Sequence, residues 1–132
     1  MISEDYVSFE TAKLLKEKGF IVPYDSFRGV YINGIFKRLN PGTGYGYNSD
    51  DEVIAVCSLQ MAMKYLREVH KIHVAVEIGF DVDNHQYFFF VPSICKFSSK
   101  TGEYQTPFGE KEFDFYEEAC EAAIKYCLEN LI

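Results

Sequence analysis

"RGVYINGIFKRL", residues 28–39, reads as two short β-rich runs on either side of Asn33-Gly34. A two-residue type I′ turn needs positive φ at both central positions. Asn tolerates that conformation and Gly adopts it freely, so Asn-Gly between apolar runs is a strong hairpin signal. The stretch predicts an antiparallel pair with strands near 29–32 and 35–39. It sets the expectation for the whole chain, because a hairpin-built sheet is antiparallel and takes its helices on one face.

Working outward, "SFETAKLLKEKG" (8–19) has the marks of a short helix. Ser8 is placed to cap it, Glu10 lies in the first turn, lysines come late, and Gly19 stands at the C′ stop. Phe9, Ala12 and Leu15 recur at three-residue steps and should face the core. Downstream, Leu59, Ala62, Met63, Leu66 and Val69 keep helical spacing and predict a second helix with one apolar stripe. Either Ser58 caps that helix, with 53–57 as its approach, or it starts nearer Asp51. "IHVAVEIGF" (72–80) and "QYFFFVPSI" (86–94) read as strands joined by "DVDNH", the second central and ending at Pro92. "CKFSS", "KTGE" and "YQTP" are expected to add an edge hairpin. "DFYEEACEAAIKYCLENLI" (114–132) closes the chain as a helix. Asp114 and Glu117 form its capping box, and Tyr116, Cys120, Ala123 and Cys127 form its buried stripe. The expectation is one α+β domain over 1–132: a mostly antiparallel sheet of four to six strands with about three helices packed on one face, in two layers.

Composition narrows the function. The chain has 132 residues, twelve Phe, ten Tyr and no Trp, with 48% apolar residues. At that length it buries roughly 65–70% of its unfolded surface, enough for a core without metal or disulfide staples. Thirteen basic against twenty acidic residues give a net charge of −7, which argues against nucleic acid, whose binders neutralise phosphates with Lys and Arg. The charge is uneven: six basic residues face Glu17 and Asp25 over 13–38, and seven acids face Lys111 and Lys125 from Glu110 onward. Two solvated faces account for this simply; steering between copies, or toward a charged partner, is the sharper reading. The four cysteines form no C-x-x-C pair. Cys120 and Cys127, about 10 Å apart along a helix, are too distant for a disulfide. With no apolar leader and no membrane-length run, the chain reads as cytoplasmic and reduced.

"GTGYGYNSDDE" (42–52) is the richest candidate loop. It lacks the third glycine of G-x-G-x-x-G and the G-K-[ST] of a P-loop, and its three acids would repel an anion. Those acids at a helix start would instead offset the macrodipole. A plain surface loop is the simpler account; a flap whose tyrosines dock on an apolar groove is the functional one. His70 and His73 are three apart across a helix-to-strand junction, so their rings should diverge rather than share a metal. His70 would interact with the last carbonyls of its helix. "DVDNH" fails the calcium-loop pattern at Gln86 and Pro92 and is a turn. No G-x-S-x-G is present, and Cys57 and Cys95 sit in apolar contexts. No catalytic residue, cofactor or metal site is assigned. Arg28, Lys37 and Arg38 with Tyr31 and Phe36 have the mix that single-strand binders use, against the acidic balance of the chain.

Three stretches, "VSFETAKLLKEKGF", "SLQMAMKYLREVHKIHVAV" and "FYEEACEAAIKYCLENLI", together resemble a family of small uncharacterised proteins from phages and integrated elements of gut Bacteroidales. The chain departs from it at Tyr65, where members often carry Trp. The resemblance implies a bacterial or phage cytosol and a small accessory protein, and brings no activity with it. The expectation is a protein that acts by protein binding, with a host or phage protein or with itself as a homo-oligomer, away from membranes. Tyr45 and Tyr47 are its first candidate contact residues, and Arg28 and Lys37 the next. The alternative is a small-molecule or hydrolytic site in a cleft closed by the 42–52 loop.

Overall fold

A computed structural model describes residues 5–23, 29–39, 50–81, 83, 88–109 and 111–132. Among the described residues nine elements run in the order α1 (Phe9–Glu17), β1 (Gly29–Ile32), β2 (Ile35–Arg38), β3 (Val53–Val56), α2 (Leu59–His70), β4 (Ile72–Phe80), β5 (Phe88–Phe97), β6 (Gly102–Gln105) and α3 (Tyr116–Asn130). The class is α+β and every ladder is antiparallel. The strands form two sheets of three, β2-β1-β3 and β4-β5-β6, rather than one. By backbone proximity the chain divides into two compact units, Met1–Ala62 and Met63–Ile132.

In the first unit, Asn33 and Gly34 have φ of 51° and 83°, the two positive values that the hairpin requires. β1 is the middle strand: Tyr31 lies opposite Phe36 on β2 and Ile54 on β3. The "VIAV" segment was expected only as an approach to a helix; as β3 it pairs along the whole of β1. The acids Asp50 to Glu52 therefore precede a strand, not a helix. Asp51 and the backbone of Glu52 hold the hairpin turn: Asn33 Nδ2 donates to Asp51 Oδ1 at 2.9 Å, and Glu52 N donates to Asn33 Oδ1 at 2.9 Å. Asn33 N in turn donates to Glu52 O at 2.8 Å. Ser8 caps α1, accepting from Thr11 N, and Ala12 and Leu15 are buried. Thr11, at the polar step of the pattern, is buried as well, its hydroxyl 3.3 Å from that of Ser8.

Ser58 is the cap of α2, its Oγ accepting from Met61 N at 3.1 Å. Along that helix Leu59, Ala62 and Leu66 are buried, but Val69 is 60% exposed and Tyr65 takes an inner place. His70 does not hold the helix end. Its Nε2 shares a 2.8 Å hydrogen bond with the Tyr65 hydroxyl, while Lys71 Nζ donates to Glu68 O.

In the second unit, β5 is central as expected but runs through Pro92 to Phe97. Phe97 N donates to Lys71 O and Phe90 N to Phe113 O, so the even-numbered residues of β5 direct their backbone groups away from β4. The missing N–H of Pro92 falls on that side. It lies between the bridge to Phe113 and the start of the β6 ladder at Ile94, where no ladder bond is required of it. α3 packs on β4 and β5 and buries Ala119, Cys120, Ala123, Ile124, Cys127 and Leu128. Its N-cap position falls on Phe115, one residue beyond Asp114, without a side-chain capping bond. Tyr116 sits at the rim of the helix rather than in its buried stripe.

Candidate functional site

Of the four contact residues expected from sequence, Arg28, Tyr45 and Tyr47 lie outside the described residues. Lys37 is on β2, an edge strand exposed at all four positions, opposite Val30. Tyr31 is half-buried, its hydroxyl bonded to Val7 O at 2.9 Å and its ring 5.7 Å from Phe36. This pair of rings belongs to a packed cluster with Phe9 and Tyr6, not to a free stacking platform.

The second unit carries an apolar surface that the sequence pattern did not single out. Residues facing each other across an antiparallel ladder share a face, and that face alternates along each strand. Ile72, Val74, Val76, Ile78 and Phe80 on β4 thus lie with Lys96, Ile94, Pro92, Phe90 and Phe88 on β5. Burial declines along this row. Ile72 and Ile94 are fully buried, whereas Ile78, Phe80 and Phe88 are 63%, 57% and 53% exposed. The Phe80 and Phe88 rings meet edge to face at 4.8 Å, and Phe90 continues the row to Tyr116 at 6.1 Å. Single exposed apolar residues are ordinary; here Ile78, Phe80 and Phe88 form an exposed apolar row at one end of the hairpin. On the opposite face, the Phe89 ring lies over Gly79, where a Cβ would collide with it. The signal was present in the sequence as even-numbered Ile78 and Phe80. It was hidden because rings in a central strand read equally well as core.

The first unit contains a groove of about 290 Å³ between Ala12, Leu15 and Lys16 of α1, residues 20–22, Val30 and residues 53–55. Among the described residues its lining side chains are apolar apart from the Lys16 ammonium. Asp50, Asp51 and Glu52 are not among its lining residues.

Burial pushes the Tyr65 phenol up and holds the His70 imidazole below its ordinary value, an effect to which Lys96 adds, so both stay neutral near pH 7. Cys57, Cys95, Cys120 and Cys127 are buried and form no disulfide, and burial pushes the Cys127 thiol up to about 12. A thiol so raised is a poor nucleophile at neutral pH. Among the described residues no three His, Cys, Asp or Glu side chains converge in a way that could hold a metal ion. In the turn after β4, Asp83 N bonds to Asp81 Oδ1 at 2.9 Å, an Asx turn. Among the described residues no helix is long and apolar enough to cross a membrane. No family model, curated protein or solved structure matches the chain.

Proposed function

We propose that the protein acts by protein binding, through the apolar end of the β4–β5 hairpin. The observation that carries this reading is the exposed row Ile78, Phe80 and Phe88, whose two rings are already packed on each other. Pre-packed rings lose little side-chain freedom when a partner covers them, which is why aromatic anchors dominate interface energetics. A cytoplasmic setting fits four buried thiols with no disulfide, and a role as a small phage or integrated-element accessory protein rests on the sequence resemblance. Sedimentation velocity on the wild type and on Phe80→Ser/Phe88→Ser tests the reading. Association, with itself or with an added partner, is lost in the variant while its circular dichroism is kept. Association that survives in the folded variant overturns the assignment of the surface.

A second reading rests on the groove beside α1. Its volume of about 290 Å³ is near the lower end of small-molecule sites, and Lys16 at its wall would pair with an acid group on an otherwise apolar ligand. Native mass spectrometry of freshly purified protein tests it: a reproducible added mass, lost on Leu15→Trp, supports a ligand there, and a clean chain mass removes that reading.

A further inference from the structure

Among the described residues, β3 is an outer strand of the β2-β1-β3 sheet, and two hydrogen bonds set its phase. Asn33 N donates to Glu52 O, so the even-numbered residues 52, 54 and 56 bond toward β1. Val7 N donates to Cys57 O, so the odd-numbered residues direct their N–H and C=O groups to the other side. Residues 5–7 occupy that side at 57–59, and at Ser8 the chain turns into α1 and leaves the edge. Among the described residues nothing bonds to the outward groups of Val53 and Ala55, and both residues are only half-buried. The groove of about 290 Å³ lies against this stretch, with residues 53–55 on one wall and Leu15, Lys16 and Ile21 on the other. Ile21 is 84% exposed, so the groove opens to solvent there. Lys13 pairs with Glu52 at 3.6 Å, whereas Lys16, exposed beside the groove, has no ion pair among the described residues.

Resting on the reading of this groove as a ligand site, we propose that its ligand is an extended peptide segment, apolar with one acidic side chain, that adds antiparallel to the outer edge of β3. An apolar acid without a peptide backbone would match the walls and Lys16, but would leave the outward groups of Val53 and Ala55 to water. An extended peptide offers one N–H and one C=O to each of them, at the two-residue spacing of a strand. The bridge between Tyr6 and Ser58 on this side is antiparallel, so the added segment continues a line that residues 5–7 begin. Its side chains alternate, and every second one enters the apolar groove. Its carboxylate meets the Lys16 ammonium, the charge that the fold leaves unpaired there. Two outward positions, with Val7 already bonded at Cys57, set the segment at about three to five residues.

The probes are acetylated, amidated pentapeptides of alternating Val and Thr, with one Glu stepped through the five positions. Each is titrated into the isotope-labelled full chain and read by amide NMR. One register should bind and shift the amides of Val53 and Ala55, while those of Ile54 and Val56, bonded to β1, move least. Replacing the Glu of that peptide by Gln should raise its dissociation constant about three- to fivefold. Lys16→Gln should do the same, and the two changes together should cost no more than either alone. N-methylating the peptide amide that meets Ala55 should weaken binding about tenfold, and N-methylating its neighbour, which points away, far less. Ala55→Pro removes an outward N–H that the β1–β3 ladder does not use, so it should lose the peptide while keeping its circular dichroism. A peptide that binds equally whichever amide is methylated overturns strand addition. No peptide binding, with an added mass in native mass spectrometry that Leu15→Trp removes, overturns the peptide and leaves the groove as a small-molecule site. No peptide binding and a clean chain mass overturn both.

Discussion

Replacing Asn33 probes the turn that organises the first unit. Its amide makes two hydrogen bonds, from Nδ2 to Asp51 Oδ1 and from Glu52 N to Oδ1, both 2.9 Å and both near solvent. Each such bond contributes about 0.5–1.5 kcal/mol net, and solvent exposure places these two toward the lower end. The backbone at Asn33 has φ of 51°, a conformation that costs an ordinary L-residue about 1–2 kcal/mol and costs glycine nothing. Asn33→Gly therefore removes only the side-chain bonds and should destabilise by about 1–2 kcal/mol. Asn33→Ala removes the bonds and adds the backbone term, for about 2–3 kcal/mol in all. With a urea slope of about 1–3 kcal/mol per molar, typical of small proteins, Asn33→Ala should lower the urea midpoint by about 1 M or more. The assay is equilibrium urea unfolding of wild type and both variants, followed by circular dichroism. If Asn33→Ala is no worse than Asn33→Gly, or if both lie within 0.5 kcal/mol of wild type, the turn is not held as described here.

Ile94→Ala, at a fully buried position of the central strand β5, should cost about 2–5 kcal/mol in urea unfolding, whereas Ile35→Ala, 68% exposed on β2, should stay within about 0.5 kcal/mol. The four buried thiols should react with a thiol reagent at neutral pH only at the rate of unfolding; one fast thiol in the native protein would contradict the packing. Because folding raises the Cys127 thiol to about 12 from an ordinary value of 9.0, its contribution is complete below pH 9 and is lost as pH rises toward 12. Cys127→Ala should therefore lose less stability than wild type over that range. His70 works in the opposite direction: its folded value lies below the ordinary 6.5, so its contribution is complete above pH 6.5 and is lost as pH falls below it. Between pH 7.5 and 5.5 the wild type should lose more stability than His70→Gln, and equal losses would contradict a half-buried imidazole held neutral.

What was legible in the sequence was local chemistry. Asn33-Gly34, Ser8 and Ser58 each act through their own backbone neighbourhood, and each sits where its pattern placed it. What was not legible depended on partners distant in the chain. "VIAV" at 53–56 carries no alternation, and only pairing with β1 makes it a strand and turns the preceding acids into clasps for Asn33. Pro92 reads as a strand end until the side on which β5 is already bonded is known. Ile78, Phe80 and Phe88 look like core from sequence, because period-two alternation says which face a residue takes but not how far the covering helix extends. Val69 fails for a related reason: it keeps the helical spacing of a core position, yet it is 60% exposed. The candidate contact residues chosen for their composition, Tyr45 and Tyr47, lie outside the described residues, whereas the surface found is built from residues of the two strands at 72–80 and 86–94, to which the sequence assigned no contact role.

Residue-resolved amide exchange of the β4–β5 hairpin, followed as the chain associates with itself or with an added partner, tests the central claim most directly. In the single chain Ile78, Phe80 and Phe88 are 63%, 57% and 53% exposed. The account predicts that association slows exchange around these three residues and leaves the buried end of the hairpin at Ile72 and Ile94 unchanged. Association that leaves exchange around Ile78, Phe80 and Phe88 unaltered would contradict binding through this end of the hairpin.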